Sequence, residues 1–248
     1  MSAPSIIIGS GVTLSSVTID GSTRNAINTR DLQLYLDASN GSSYSGSGTT
    51  WYDLSDNHND VVMTDPSQVT FFSIGGINYF NLLGSGYFTN SNPVNMPVGS
   101  SPYHFSAWVK WDSTWPAAGG IVSIGTEFGT PNQVNAFRTM NSPYGLDNYW
   151  WGNDYAQYVP LTDYTQWVFV SAQWNGYTRS LWVNGHLLGN NTTSGLNVTS
   201  NFLQIGETWP SNGENLLGKI NQVMIYNRAL APLEILNNYN ATKSKVGL

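Results

Sequence analysis

The chain reads as an all-β protein: a two-sheet antiparallel sandwich of the jelly-roll kind, with one short C-terminal helix and a short β-prone N-terminal arm. Three observations carry this reading. Aromatic residues make up 13% of the 248 residues, and charged residues only 10%, against roughly 25% in ordinary soluble domains. The 25 glycines, ten tryptophans and fourteen tyrosines favour turns and pleated surfaces over helices. Short apolar runs recur between Gly, Asn and Ser clusters from Leu32 onward, the pattern of a sandwich or barrel.

The elements follow in order. Residues 1–30 stand apart as an arm: SIIIGSGVTLSSVTIDG is β-prone and STRNAINTR reads as linker. So short a segment cannot bury a core of its own, and its expected role is to anchor the rest, residues 31–248, to another chain. LQLYLD (32–37) alternates, and VTFFS (69–73) and INYFNLL (77–83) follow after turns. In HFSAWVKW (104–111), Phe105, Ala107, Val109 and Trp111 share one face. QWVFVSAQW (166–174) is apolar on both faces, as a central sandwich strand would be. RSLWVNGHLL (179–188) places Asn184-Gly185 between apolar runs, the signal of a type I′ hairpin. FLQIG (202–206) and GKINQVMIYN (218–227) complete the strands. The helix belongs to ALAPLEILNNYN, where Pro232 suits the first helical position and Glu234 the first turn. Ala231 at the N-cap offers no side-chain oxygen. Trp108, Trp167, Trp174 and Trp182 lie on or beside predicted strands and are assigned to the core.

Charge and composition exclude several functions. The formal net charge is −6, and the nine Lys and Arg are scattered singly, so no basic stripe exists for nucleic acid. No apolar run is long enough to span a bilayer. The start of the chain lacks a basic leader, so no secretory signal is expected. Cysteine is absent, which removes disulfides, thiolate metal sites and cysteine nucleophiles. His58, His104 and His186 are too scattered in sequence for a zinc site.

Two stretches invite a functional reading. WYDLSDNHND (51–60) is dense in oxygen ligands, and Asp53 and Asn57 could equally hold a turn through side-chain-to-backbone hydrogen bonds. NYWWGNDYAQY (148–158) pairs Trp150 and Trp151 with Asn153, Asp154, Tyr155 and Gln157, with Trp115 upstream and Trp209 in a later loop. Aromatic rings pack against the C–H faces of sugars, while amides and carboxylates bond their hydroxyls. The competing reading is strand alternation, which buries one of the two tryptophans and leaves the other as cover.

The succession LQLYLDASNGSSYSGSGTTWYDLSDNHND, YHFSAWVKW, QWVFVSAQWNGYTRSLWVNGHLLG and GKINQVMIYNRALAPLEILNNYNATK resembles the laminin-G-like, concanavalin A-like lectin/glucanase superfamily over roughly residues 31–243. The ending IYNRALAPLEILNNYN is its most specific part. The opening and the IIIGSGVTL leader are similar to those of virion and tail-associated proteins of tailed phages. The resemblance implies a non-enzymatic lectin-like domain on a virion or extracellular appendage, assembled in a host cytoplasm. Its partners would be a glycan or host receptor, other virion proteins through residues 1–30, and further copies of itself. A structural or decoration protein that binds no glycan is the alternative. A laminarinase-like hydrolase would need the family's E-x-D-x-x-E carboxylates, and Glu127, Glu207, Glu214 and Glu234 do not form that pattern. The resemblance also implies a structural Ca2+ held by Asp53, Asn57 and Asn59 together with Asn221. Asn221 stands where the family's G-x-I-D-x-V pattern has an acid, which removes a full negative charge from that shell.

Overall fold

The computed structural model describes residues 26–111, 118–125, 130–141, 144–159, 166–208 and 214–248. In chain order the first strands are β1 (Leu32–Asp37), β2 (Thr50–Trp51), β3 (Val61–Met63), β4 (Val69–Ile74), β5 (Ile77–Leu83), β6 (Phe88–Asn90) and β7 (Tyr103–Trp111). Then come β8 (Ala118–Ile124), β9 (Asn135–Asn141), β10 (Tyr144–Tyr149), β11 (Tyr155–Tyr158), β12 (Val168–Trp174) and β13 (Thr178–Val183). The chain ends with β14 (His186–Thr192), β15 (Leu203–Ile205), β16 (Leu217–Tyr226), the helix α1 (Pro232–Thr242) and a 3-10 turn, Lys243–Val246.

The strands form two antiparallel sheets. Sheet A runs β14-β13-β12-β7-β16-β5-β4, with β1 also on β16, and sheet B runs β11-β10-β9-β8-β15-β6-β3-β2. Runs of sequence neighbours are joined by pairings between distant parts of the chain, β12-β7-β16-β5 in sheet A and β8-β15-β6-β3 in sheet B, the connectivity of a jelly roll. Strand alternation sends Phe105, Ala107 and Val109 of β7 into the space between the sheets, where they meet Phe137, Leu146 and Ile205. Trp51 packs there against Phe80 and Phe88, with ring centroids at 4.7 and 5.2 Å.

The outer face of sheet A carries a second core. Trp108, Phe169, Trp182, Met224 and Tyr226 point outward from their strands and are covered by Leu230, Ile235 and Val246. The Trp108 indole N–H donates to Thr242 Oγ1 at 2.7 Å, which fixes the helix over the sheet. Each such buried side chain stabilises by about 1.5–3 kcal/mol relative to exposure. Trp108, Trp167, Trp174 and Trp182 are all buried, as the strand pattern predicts. Glu234 makes up for the alanine cap by accepting the Ala231 N–H at 2.8 Å and pairs with Arg228 at 2.8 Å.

Ile27 and Asn28, within the stretch that the sequence marks as linker, pack on this helix. Ile27 joins the apolar cluster, the Asn28 N–H donates to Asn238 Oδ1 at 2.9 Å, and the Asn28 amide bonds Glu234. Residues 1–25 lie outside the described residues. The Asn184-Gly185 turn has φ of 50° and 80°, as a type I′ hairpin requires. A Cβ on Gly185 would also stand 2.9 Å from Leu236, so the helix adds a second demand for glycine.

His104 of β7 is fully buried and bonds Gln173 Oε1 through Nδ1 at 3.0 Å. Burial pushes its imidazole down from 6.5 to about 4, against the opposing pull of Gln173. Between those values the unfolded chain binds a proton that the native state does not, so stability is full above about 6.5 and falls as pH drops towards 4. Urea melts across that window should show this slope in the wild type, and His104→Asn should flatten it.

Candidate functional site

The two sheets differ in what covers them. With the middle of sheet A covered by α1, the outer face of sheet B is the other face of the sandwich; it is accessible towards β3 and β6, where Val62 is 44% exposed, while Ala136, Ser123 and Gln204 are buried. Tyr149, Ala136, Ser123, Gln204, Thr89 and Val62 stand side by side across that face, from β10 to β3. Its middle is buried and neutral: the single Ser123 hydroxyl hydrogen is shared between Gln204 Oε1 at 3.2 Å and the Glu207 carbonyl at 3.0 Å. The bridge between Glu207 and Asn215 runs nearby, and its backbone lies against β8, where a Cβ on Gly120 would come within 2.3 Å of the Glu207 carbonyl carbon.

On the β9–β10 side of this row, Arg138 organises the acids. Its Nε donates to Asp147 Oδ2 and its Nη1 to Glu214 Oε2, both at 2.8 Å. The guanidinium lies 3.9 Å from the Tyr149 ring centroid, and Thr208 Oγ1 donates to Glu214 Oε2 at 2.6 Å. Burial lifts the Asp147 carboxyl above its usual range although Arg138 pulls the other way. The two carboxylates are held by one shared cation. Neither Arg138 nor Asp147 was singled out by sequence. Their alternation on paired strands was the available signal, and it needs the β9–β10 register to be seen.

On the β3–β6 side the face opens into a depression of about 340 Å3, lined by Asp60, Val62, Thr89, Asn90, Ser91 and Phe202. Its residues come from three separated segments of the chain, so sequence reading missed it.

The stretch 148–158 divides in a way that corrects the paired-tryptophan expectation. Trp150 is fully buried: its indole N–H donates to Tyr103 Oη at 3.1 Å, and its ring meets Trp174 at 5.4 Å. It cannot present a ring to a sugar. Trp151 is the half-buried partner, packed edge-on to Tyr149 at 6.0 Å and held at a φ of 55°. Asn153 is tied to Asn132 and Thr193 through its amide. Asp154 accepts the Trp150 N–H at 3.1 Å. Tyr155 and Gln157 face Gly189 at the sandwich edge, where their side chains lie within 3 Å of a Cβ built on that glycine. Trp115 and Trp209 lie outside the described residues. What binds the stretch together is Arg179, which sequence did not flag. It is fully buried, donates to the carbonyls of Asn148 at 3.2 Å and Asn153 at 2.7 Å, and stacks 4.3 Å from the Trp150 ring.

The WYDLSDNHND loop is a hydrogen-bonded knot. Asp53 Oδ1 accepts the Tyr35 and Ser55 N–H groups at 2.7 and 2.9 Å. Its Oδ2 accepts Ser55 Oγ–H and Asn59 N–H at 2.6 and 2.8 Å. Asn59 bonds the Gln33 and Val94 carbonyls and takes the Val94 N–H, and Asn57 Oδ1 takes the Asn95 amide. Asn221 stands elsewhere. It sits at the register shift of β16, where its amide donates to Ser39 Oγ at 2.9 Å and the Asn78 carbonyl at 2.6 Å. Among the described residues no hydrogen bond joins Asn221 to the three loop residues, whose oxygens already accept N–H and O–H donors, although Asn221 Oδ1 is itself buried without a partner. This donor set does not fit the implied calcium.

A sandwich of two antiparallel sheets with one short C-terminal helix accords with what a family comparison finds. A model of the concanavalin A-like lectin/glucanases superfamily matches residues 83–236, more than half of the chain. The chain belongs to that superfamily. No curated protein sequence matches it. Among solved structures, domain 4 of AbnA, a GH43 extracellular arabinanase from Geobacillus stearothermophilus in complex with arabinotriose, aligns with a TM-score of 0.63 at 14% identity, covering 84% of this chain and 98% of that one. Trypanosoma rangeli sialidase aligns at 0.61 and 17% identity, covering 90% of this chain but only 34% of the sialidase. The binding domain of Paraclostridial Mosquitocidal Protein 1 aligns at 0.60 and 14%, covering 86% and 52%. At these identities the likeness is one of concanavalin A-like fold.

Two outcomes follow for this lectin/glucanase-type domain. Trp150→Ala should cost about 3–5 kcal/mol of stability through the cavity it leaves, read as a large drop in melting temperature. Chelator and added Ca2+ should leave the wild-type melting temperature unchanged; a rise with Ca2+ would restore the metal.

Proposed function

We propose that the domain is a non-catalytic carbohydrate-binding module, displayed on a virion or extracellular appendage to contact glycans of a host surface. The observation that carries this reading is the contrast between sheet A, covered across its middle by α1, and the β3–β6 end of sheet B, where an open depression is lined by Thr89, Asn90, Ser91 and the half-buried Phe202. Hydrolysis of a glycosidic bond asks for two carboxylates facing each other across a substrate. The central positions of this face are Ser123 and Gln204, and Asp147 and Glu214 are both held by Arg138. A likeness to an arabinanase domain in complex with arabinotriose supports the sugar-binding half of the reading. The phage-like opening and leader support the display half, with residues 1–30 as the anchor.

One observation favours the alternative of a structural or decoration protein. Residues 66–86 contain no charged side chain, and on them Phe72, Ile74 and Leu83 are 36%, 58% and 47% exposed beside the edge strand β4. An uncharged apolar edge suits contact with neighbouring subunits. A glycan microarray probed with the full chain, paired with a reducing-sugar assay on β-glucans, arabinan and sialosides, separates the readings. Glycan binding without product release is the expected result. Released sugar would overturn the non-catalytic reading, and an array without signal would favour the decoration role.

A further inference from the structure

Resting on the carbohydrate-binding reading, we infer that the depression beside Phe202 is the primary sugar subsite and that it takes a neutral glycosyl residue, excluding sialic acids and uronic acids. Its walls are set before any ligand arrives. Asp60 Oδ1 accepts the Asp53 N–H at 2.8 Å, and the Asp60 carbonyl accepts the Asn90 amide at 2.8 Å. Asn90 Oδ1 takes the Asn92 N–H at 2.9 Å, and Thr89 Oγ1 donates to the Leu203 carbonyl at 3.2 Å. The loop above is tied down by Asn201, which donates to the Pro93 carbonyl at 2.6 Å.

What these bonds leave over defines the ligand. Among the described residues no donor reaches Asp60 Oδ2, which is therefore an acceptor for ligand hydroxyls. The Ser91 hydroxyl accepts from Asn92 at 3.1 Å and keeps its own hydrogen to donate. Asn90 uses one amide hydrogen on Asp60 and keeps the other. Val62 is 44% exposed, and Phe202 is half-buried beside it. Among the described residues, both stand outside the apolar clusters of the sandwich. Aromatic and aliphatic side chains flanked by acceptors and donors are complementary to a pyranose or furanose, whose C–H face is apolar and whose rim is hydroxyls. At about 340 Å3 the space sits at the low end of small-ligand sites, which run about 300–1,000 Å3, so it suits a short saccharide.

Charge decides the class. The lining holds one carboxylate and no Lys, Arg or His, on a chain of net charge −6. A carboxylated sugar would meet Asp60 with no cation to offset it, and burying an unpaired charge is costly. Arg138, the conspicuous cation of this face, is already engaged by Asp147 and Glu214.

The test is calorimetry and array binding with the full chain, using neutral arabino-, gluco-, galacto- and manno-oligosaccharides against sialylated and uronate-containing glycans. Neutral ligands should bind the wild type, and Phe202→Ala should weaken them about tenfold or more with an unchanged melting temperature. Val62→Arg, which fills the depression from an exposed strand position, should do the same if Phe202→Ala proves unstable. Asp60→Asn keeps the bond to Asp53 and should weaken neutral ligands several-fold while easing the exclusion of acidic ones. Wild-type binding that survives both Phe202→Ala and Val62→Arg would overturn the subsite but not the module. Preference for acidic glycans would overturn the neutral class. A wild type that binds no glycan would overturn the carbohydrate reading and the subsite with it.

Discussion

A sandwich of two sheets has two outer faces, and a third layer laid on one of them decides which remains for partners. Here that layer is α1, and a single carboxylate does much to hold it. Glu234 caps the Ala231 N–H, pairs with Arg228 and bonds the Asn28 amide. It thereby joins the helix start, the turn that delivers the chain from β16, and the segment that leads into β1. The bond to Arg228, helped by the Ala231 N–H and Asn28, holds the Glu234 carboxyl down to about 2 despite its partial burial. Beneath it, the outward aromatic residues of sheet A would otherwise form an exposed patch of the size that drives association.

On the other sheet the outer face carries polar side chains, and its acids are held by bonds within the chain. Asp147 lies in a nearly dry position and shares Arg138 with Glu214, so the network is a structural clamp over Tyr149. Asp53 is likewise used up by four donors. The knot it forms reaches Asp60 through one backbone bond, so the loop's effect on a ligand is to brace a wall. Density of oxygen atoms in a sequence marks turn construction as readily as chemistry.

How much of this could be read from sequence depends on the range of the interaction responsible. The Asn184-Gly185 hairpin, the two-faced β7 and the helix with Pro232 at its start are local, and their residue preferences are visible without partners. The helix cap was only half legible. Ala231 looked weak because the compensating bond comes from Glu234 three residues on. Which of Trp150 and Trp151 turns inward was not legible at all. It follows from the turn at Trp151 and Gly152, with φ of 55° and 75°, and from Arg179, which arrives from β13 to hold the carbonyls on either side. The depression was hidden for a similar reason. Residues 60–62, 89–91 and 202 meet only through the order β15-β6-β3, which no single segment announces.

Asn221 closes a seam in β16 between the stretch that pairs with β5 and the stretch that pairs with β1. Its amide donates to both sides at once, to Asn78 on β5 and to Ser39 just beyond β1. An acid at this position would carry no hydrogens to donate to those two oxygens. The amide's two hydrogens serve both sides, while its Oδ1 is buried without a hydrogen-bond partner among the described residues. The first and last strands of the sheet are thereby fastened through one side chain, so the two ends of the described chain must find each other before this sheet can close.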